Sequence, residues 1–385
     1  MELVLSSEIL DVRDGTHDSP KYIEKGYPLV TSKNLKQGVI CFEDVKYVSE
    51  EDYNKINNRS KVDEGDILYS MIGSIGNYAI VTESPNYAIK NVALFKFKDE
   101  NLYNKYFYYV LNSPFLENQI KSQQKGGTQK FVTLKILRNL KIPLPPLDTQ
   151  KKIAAILDEA DRLRQLNKQL IETYDALTQS LFLEMFGDPV SNPMGWERKS
   201  MKSLMKIVRG GSPRPIKNFL GGKNPWIKIG DATKGDDIYI YSTKEHIIDE
   251  GLKKTRLLPE GSLIFANCGV SLGFARIIKF QGCIHDGWLA FLEFDENVID
   301  KVFLLKALNS VTKYFRDTAP DGTQPNLNTK IMGDYQIILP PIDIQRKFVD
   351  SLKIIEQQKD QTQTALQKSE ALFNSLLQKA FKGAL

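Results

Sequence analysis

The sequence lacks the features that usually mark a membrane protein, an exported protein or a metal site. No run of about 18 apolar residues could cross a bilayer, and the N-terminus has no basic segment followed by an apolar core that would direct export. The chain has only three cysteines and three histidines in 385 residues, and their spacing fits neither a disulfide ladder nor a metal-ligand motif. We therefore expect a cytoplasmic protein without a metal site.

Motifs for nucleotide cofactors and for catalysis are also missing. No Gly-x-x-x-x-Gly-Lys-Ser/Thr phosphate loop and no glycine-rich strand–turn–helix fingerprint occur, so ATP and S-adenosylmethionine are not expected to bind in the usual way. Asn224-Pro225-Trp226 is similar to part of the Asn-Pro-Pro-aromatic tetrapeptide of amino-methyltransferases, but it lacks the second proline. A nuclease motif could be assembled from Asp321 and Gln345-Arg346-Lys347, yet helix initiation explains the last three residues more simply. We expect no catalytic residue and no cofactor.

Basic residues are concentrated in two segments, although the net charge is only +5. Residues 198–230 contain nine lysines and arginines and no acid, and residues 118–147 contain six and no acid. Such segments favour contact with phosphates, because lysine and arginine displace the counterions of a nucleic acid. The alternative is a solvated surface with a chance imbalance of charge.

An internal repeat organises the chain. Leu144–Lys152 recurs as Leu339–Lys347, an offset of 195 residues, and at the same offset Gly127-Thr128-Gln129 falls on Gly322-Thr323-Gln324. Further upstream, the offset between matching segments changes by only one or two residues. Matching segments that follow the same order along both halves of the chain indicate a duplication.

Each copy begins with short apolar runs between turn residues, which predict strands, and contains one amphipathic helix before a Pro-Pro pair. A long helix is predicted after each pair. We therefore expect an α+β protein with two pseudo-twofold-related α/β domains joined by two long helices that form an antiparallel coiled coil. The expected domains are residues 1–146 and 191–341, and the expected helices are residues 147–190 and 342–385.

The long helices show apolar residues in alternating steps of four and three, the 3.5-residue period of a coiled coil. The alternative is that each helix docks only onto its own domain. The predicted seam residues, which would face the partner helix, are Ile156, Leu163, Asn167, Leu170, Leu177, Leu352, Ile355, Leu366 and Phe373.

Polar loops at equivalent places in the two copies are the candidate DNA-contacting segments. Asparagine and glutamine can pair bidentately with adenine, and arginine and lysine with guanine. The alternative for any one residue is an ordinary turn. The candidates are Arg13, Thr16, Lys21, Lys33, Asn34, Lys125, Thr128, Gln129 and Lys130 in the first copy, and Arg209, Ser212, Arg214, Lys217, Lys228, Asn267, Thr323, Gln324 and Asn326 in the second.

The chain resembles the specificity subunit of type I restriction-modification enzymes in four features. They are the Leu-Pro-Pro-Leu-Asp-x-Gln-x-Lys-Ile-Ala pattern at 144–154, its second copy at 339–349, the Gly-Thr-Gln loops, and the Met185–Pro189 and Asn192–Trp196 segments. The resemblance covers essentially the whole chain. The first copy departs from the pattern, because it lacks a lead-in like the one at Trp196 and its first strand is expected to be short.

The resemblance implies that each globular copy is a target recognition domain that reads one half of an interrupted site in double-stranded DNA. It implies that the long helices separate the two domains and dock the methyltransferase subunits, two of them, and that restriction/translocase subunits join that complex. The chain itself would be non-catalytic. Two alternatives remain: a coiled-coil scaffold that binds only protein, and a single-chain methyltransferase or nuclease with an unrecognised site.

Overall fold

A computed structural model describes residues 2–36, 38–73, 75–83, 85–123, 131–233, 236–269, 271–319 and 326–382. The chain forms two compact units. Unit 1 comprises Met1–Lys168 and Gln363–Leu385, and unit 2 comprises Gln169–Thr362. Each unit therefore contains one globular copy together with parts of both long helices. No helix in the described ranges is both long and apolar enough to cross a membrane.

The globular part of unit 1, called head 1, runs from the first strand to the strand before the first long helix. Its elements, followed by that helix, are β1 (Leu3–Leu5), α1 (Ser6–Ile9), β2 (Leu10–Asp14), β3 (Tyr27–Val30), β4 (Leu35–Lys36), β5 (Val39–Ile40), β6 (Lys46–Val48), α2 (Glu50–Ser60), β7 (Ile67–Ser70), β8 (Tyr78–Ile80), β9 (Ala88–Ile89), β10 (Val92–Phe97), α3 (Asn104–Leu111), α4 (Pro114–Gln123), α5 (Leu134–Arg138), β11 (Lys141–Pro143) and α6 (Leu147–Phe186).

The globular part of unit 2, called head 2, follows the same plan. Its elements, followed by the second long helix, are β12 (Arg198–Ser200), α7 (Met201–Leu204), β13 (Lys206–Arg209), β14 (Leu220–Ile227), β15 (Tyr239–Ile240), β16 (Glu245–Ile247), β17 (Arg256–Leu258), β18 (Leu263–Ala266), β19 (Ala275–Ile278), β20 (Gly282–Ile284), β21 (Trp288–Leu292), α8 (Lys301–Ser310), α9 (Thr312–Thr318), α10 (Thr329–Asp334), β22 (Gln336–Ile338) and α11 (Ile342–Lys382).

The two heads share the strand order of their main sheet. In head 1 an antiparallel sheet has the order β2-β10-β7-β8, and in head 2 the equivalent order β13-β21-β18-β19 gains β15 at its edge. A parallel pair recurs as well, with Leu29 opposite Ala88 in head 1 and Trp226 opposite Cys283 in head 2. The duplication read from the sequence is therefore also a duplication of topology.

Each core joins the large sheet to the ends of both long helices. In unit 1 the buried residues of α3 and β10 pack with Leu157 near the start of α6 and with Phe373 near the end of α11. In unit 2 the equivalent residues pack with Phe348 near the start of α11 and with Phe186 at the end of α6. In both units the start of one long helix therefore lies beside the end of the other, so the two helices run antiparallel.

An aromatic contact repeats this arrangement in both units. The ring centroids of Tyr106 and Phe381 lie 5.7 Å apart in unit 1, and those of Phe303 and Phe186 lie 4.8 Å apart in unit 2. Phe186 is fully buried and also contacts Phe348 at 5.4 Å. Aromatic side chains supply large buried areas, so these residues fasten the end of each long helix to the head of the same unit.

The glutamine of the repeated motif is a structural residue in both copies. Gln150 and Gln345 are fully buried. Each side chain accepts a hydrogen bond from a backbone amide at or beside the start of α3 or α8 and donates two to backbone carbonyls. The partners are Tyr103, Asn101 and Pro145 for Gln150, and Asp300, Val298 and Pro340 for Gln345.

The predicted seam of α6 has the right period but partly the wrong phase. Ile156, Leu163, Leu170 and Leu177 are 41–46% exposed instead of buried. The packed face is one residue further along, because Leu157 and its heptad successors lie against the protein while only Asn167 of the predicted set is half-buried. A one-residue shift turns a helix face by about 100°. The exposed row is the more apolar of the two, because Arg164 and Thr178 lie on the packed row, and the packing of head 1 onto Leu157 sets the phase.

In α11 the predicted seam residues lie on the packed face. Leu352 and Phe373 are buried, and Ile355 and Leu366 are half-buried. Polar residues on that face have partners: in unit 1 Asn167 Nδ2 donates to Ser369 Oγ at 3.3 Å, and in unit 2 Lys359 forms an ion pair with Asp175. The Arg164 guanidinium lies 4.2 Å from the Phe373 ring centroid.

Candidate nucleic-acid interface

Two loops cross closely in each head. Loop A comprises residues 15–21 in head 1 and residues 210–217 in head 2. Loop B comprises residues 89–91 in head 1 and residues 284–287 in head 2. A Cβ added to Gly15 would lie 2.3 Å from the carbonyl oxygen of Ile89, and one added to Gly210 would lie 2.2 Å from that of His285. Glycine at these two positions therefore permits the close approach of loop A to loop B.

The two loops of head 2 meet at Asp286. The Ser212 hydroxyl donates to Asp286 Oδ1 at 2.8 Å, and Arg214 Nη2 lies 3.5 Å from Oδ2. Arg209 Nε donates to the backbone carbonyl of Asp286 at 2.9 Å, and His285 Nε2 lies 3.0 Å from Oδ1. Asp286 therefore contacts two arginines, a serine and a histidine.

The protonation of this cluster follows from its contacts. Burial lowers the pKa of His285, and Gly287 N–H donates to Nδ1 at 2.9 Å, so Nε2 carries the proton of the neutral ring and lies 3.0 Å from Asp286 Oδ1. Desolvation opposes ionisation of Asp286, but the Ser212 hydrogen bond and the neighbouring basic groups outweigh it and lower the pKa of the carboxyl. Near neutral pH the cluster contains an aspartate and two arginines, an excess of one positive charge.

The loops of head 1 meet at His17. Its Nδ1 lies 2.8 Å from Asn91 Oδ1, and its Nε2 lies 2.8 Å from Asp14 Oδ2. Two oxygen acceptors suit an imidazolium, which donates from both nitrogens. The hydrogen bond to Asn91 and then that to Asp14 raise the pKa of His17. Arg59 also pairs with Asp14.

The 195-residue offset of the repeat relates these two clusters. The backbone contacts are conserved between the copies: Thr16 N–H donates to the Ile89 carbonyl at 3.0 Å, and Gly211 N–H donates to the Ile284 carbonyl at 3.0 Å. The side chains at four pairs of positions on that frame differ. The equivalent positions are His17 and Ser212, Ser19 and Arg214, Lys90 and His285, and Asn91 and Asp286.

The two surfaces also differ in charge. In head 1 the nearby arginines are neutralised, because Arg13 pairs with Asp11 at 2.7 Å and Arg59 pairs with Asp14. In head 2 the Arg214 side chain is 79% exposed, and Lys217 and Arg256 are also exposed. Head 2 therefore presents the more positive surface at these loops.

A groove opens beside loop B of head 1. Its wall combines hydroxyl groups, lysines and apolar side chains, a mixture that can meet both base edges and phosphates. Residues on this wall include Tyr22, Thr31, Ser32, Lys33, Lys46, Ile72 and Asn91.

Several predicted DNA-contacting residues come together at loop A. Thr16 and Lys21 lie on it in head 1, and Ser212, Arg214 and Lys217 lie on it in head 2. Arg13 and Arg209 are on the strands just before it, and Lys33 is exposed at the groove of head 1.

Three of the predicted DNA-contacting residues have partners within the protein. Asn34 is 5% exposed and holds a turn, because its Oδ1 accepts from Thr31 N–H at 2.9 Å. Asn267 has no exposed surface and donates to Asn326 Oδ1 at 3.2 Å, so it positions neighbouring residues. Lys228 is half-buried and paired with Glu245, which reduces its charge available to DNA. These side chains satisfy local polar groups, a role that sequence alone does not distinguish from binding.

Other predicted residues lie outside the described ranges, and they are Lys125, Thr128, Gln129, Lys130, Thr323 and Gln324. Sequence reasoning missed loop B altogether. Residues 90–91 and 285–286 share no residue type across the 195-residue offset, so the repeat does not mark them. Among the described residues, no group of three or more His, Cys, Asp or Glu side chains is placed to hold a metal ion.

Comparison with known proteins assigns the chain to one family. The type I restriction modification DNA specificity domain matches residues 7–173 and again residues 193–370. The chain therefore belongs to the type I restriction-modification DNA specificity family and contains two copies of its domain.

Individual relatives agree with this assignment. The specificity subunit of the type I restriction enzyme MjaIX from Methanocaldococcus jannaschii is 27% identical over 328 residues, which cover 77% of this chain and 73% of that protein. A solved structure described as the structural basis of complex assembly and conformational transition of the type I R-M system aligns with this chain at a TM-score of 0.65 and 20% identity. The alignment covers 100% of this chain and 98% of that chain. The structure of the S subunit from M. genitalium aligns at a TM-score of 0.57 and 18% identity, covering 98% of this chain and 95% of that chain. The predicted α+β fold with two recognition domains and long helices is confirmed.

Proposed function

We propose that this chain directs methyltransferase and restriction subunits to a bipartite, interrupted DNA target, with each head reading one half-site. The observation that carries the proposal is the repeated crossing of loops A and B, in which one backbone frame presents different side chains in the two heads. Base edges are distinguished by side-chain chemistry, whereas phosphate contacts fix orientation. A frame that is conserved while its side chains differ suits two half-sites of different sequence.

The basic residues at loop A of head 2 support binding to DNA. Arg209, Arg214 and Lys217 follow one another along an acid-free segment and are all exposed. Their charges supply the sequence-independent attraction to phosphates. We expect the isolated chain to bind duplex DNA weakly, with affinity falling steeply as salt rises, because partner subunits would complete the enclosure of the duplex.

We further propose that the exposed row of α6 docks the methyltransferase subunits, one in each unit, with restriction/translocase subunits joining that complex. Ile156 and Leu163 lie in unit 1, and Leu170 and Leu177 lie in unit 2, each 41–46% exposed. Large apolar side chains in a regular row are unusual on a helix that faces only water. Catalysis would belong to these partners, in keeping with the relatives' description as specificity subunits.

The test of this function is a selection from a pool of random DNA duplexes. The chain, bound to the methyltransferase subunit of the same genome, is used to capture the duplexes that bind to it. We expect enrichment of two short sequences at fixed separation. Enrichment of one continuous sequence, or of none, would contradict the proposal.

The docking row is tested by Leu163→Asp combined with Leu170→Asp. Because these leucines are exposed, the variant should fold normally but lose assembly with the methyltransferase. The matched control is Gln169→Asp with Ala176→Asp, which adds two equally spaced charges to the neighbouring exposed row of the same helix. Normal assembly of the leucine variant would place the docking surface elsewhere.

A further inference from the structure

Asp286 is an unexpected residue in its surroundings. It contacts the longest acid-free basic segment of the chain, residues 198–230, and lies beside Arg209 and Arg214 on a surface suited to DNA. An ionised carboxylate repels phosphates, so it weakens the electrostatic attraction that the surrounding arginines provide. A surface built only for phosphate contact would gain affinity from a neutral residue at this position.

The contacts of Asp286 indicate that it orients an arginine. Its Oδ1 accepts from the Ser212 hydroxyl at 2.8 Å, which joins loop B to loop A, and its Oδ2 lies 3.5 Å from Arg214 Nη2. The remaining N–H groups of the Arg214 guanidinium belong to a side chain that is 79% exposed. The carboxylate therefore contacts one nitrogen of the planar group and leaves most of that group exposed to a ligand.

A guanidinium held in this way suits a nucleobase better than a phosphate. The planar fork of arginine matches the O6 and N7 acceptors of guanine bidentately in the major groove, and a fixed orientation makes that match selective. A phosphate can also accept from both arms of an arginine, but the adjacent Asp286 carboxylate repels it.

Head 1 provides the internal comparison. The positions equivalent to Arg214 and Asp286 hold Ser19 and Asn91, and Lys90 Nζ donates to Ser19 Oγ at 3.0 Å. The same frame therefore carries no guanidinium at this point in head 1, and the two half-sites should differ at the base pair that meets it.

We propose that Arg214, oriented by Asp286, is a specificity-determining residue of head 2 that reads a guanine in the half-site of that head. This inference rests on the proposed function and adds the identity of one base. Arg214 contacts the base, and Asp286 is a positioning residue.

The test compares Arg214→Lys with the unchanged chain, each in complex with the methyltransferase, in selection from a pool of random duplexes. Lysine keeps the charge but loses the fork. We expect the preference for guanine at one position of one half-site to fall about 5- to 100-fold, while the salt dependence of binding and the other half-site stay unchanged. Lys217→Ala is the matched control from the same loop: it should weaken binding to all sequences and reduce the salt slope by about one.

The variant Asp286→Asn separates positioning from a merely structural role. It should reduce the guanine preference and at the same time tighten binding to non-cognate duplexes, because a repulsive charge is removed. A variant that only loses thermal stability and affinity for all sequences would contradict the positioning role.

The outcomes distinguish the two proposals. If the unchanged chain selects a bipartite motif and Arg214→Lys selects the same bases with equal strength, the inference about Arg214 is wrong and the proposed function stands. If the unchanged complex enriches no sequence, both are wrong.

Discussion

Head 1 and head 2 place the same two loops at the same distance but present different electrostatics there. In head 1 the Asp14 carboxylate pairs with both His17 and Arg59. In head 2 the Asp286 carboxylate contacts Arg214, while Arg209 donates to the backbone carbonyl of Asp286. The backbone contacts set where a side chain stands, and the side chain decides what it can bind. A duplicated recognition domain can thus acquire a new target without changing its fold.

The helix ends provide a second comparison, in which the aromatic contact is deeper in unit 2. Phe186→Ala should destabilise unit 2 by about 3–5 kcal/mol, because a fully buried ring is lost and leaves a cavity. Phe381→Ala should cost unit 1 less, about 1–3 kcal/mol, because Phe381 is only half-buried.

Hydrogen exchange detected by mass spectrometry measures each unit separately. Peptides from β18 and β21 report on head 2, and peptides from β2 and β10 report on head 1. Each variant should accelerate exchange in its own unit. Equal acceleration of both heads by Phe186→Ala would mean that this contact does not belong to one unit alone.

The two motif glutamines should behave alike, since their three hydrogen bonds are equivalent. Replacing Gln150 or Gln345 by alanine leaves a backbone amide and two carbonyls without partners, and we expect a loss of about 2–3 kcal/mol in either unit. Exposed Gln169→Ala on α6 is the matched control and should have little effect. Chemical denaturation of the two alanine variants measures whether their losses of stability are equal. A loss in only one variant would show that the two copies have diverged at the motif glutamine.

Much of this architecture was predictable from the sequence, and the reasons are physical. Repetition of the Pro-Pro motif at a constant offset indicates two copies of one fold, and the 3.5-residue period indicates helices that pack along their length. The phase of α6 was not predictable, because the row that packs includes Arg164 and Thr178 and is less apolar than the exposed row of Ile156, Leu163, Leu170 and Leu177. The site was predictable in part: Arg209, Ser212 and Arg214 stand out in a basic segment. Asp286 does not, because only the folded chain brings loop B to loop A.

The smallest expected effect concerns pH, and it should arise from head 1 alone. The hydrogen bonds to Asn91 and Asp14 raise the pKa of His17 above 6.5. The protonated form therefore predominates below about 6.5 and is lost as pH rises through the raised value, so both its ion pair and its positive charge disappear there. DNA affinity should accordingly fall a few-fold between about pH 6 and pH 8.5.

His17→Gln should flatten this dependence, whereas His285→Gln should leave it in place, because burial lowers the pKa of His285 and keeps that ring neutral. Salt-matched binding titrations with duplex DNA measure it. A pH dependence unchanged by His17→Gln would assign the titrating group elsewhere.

The central claim is that the heads are separate readers on a common frame, and exchange of one head tests it most directly. Residues 196–338 are replaced by the same region of a relative with another specificity, and the methylated motifs are mapped by sequencing DNA modified by the chimeric complex. The account predicts that one half-site changes while the other half-site and the spacer length stay as they were. A chimera that altered both half-sites, or the spacer, would show that the heads do not read independently.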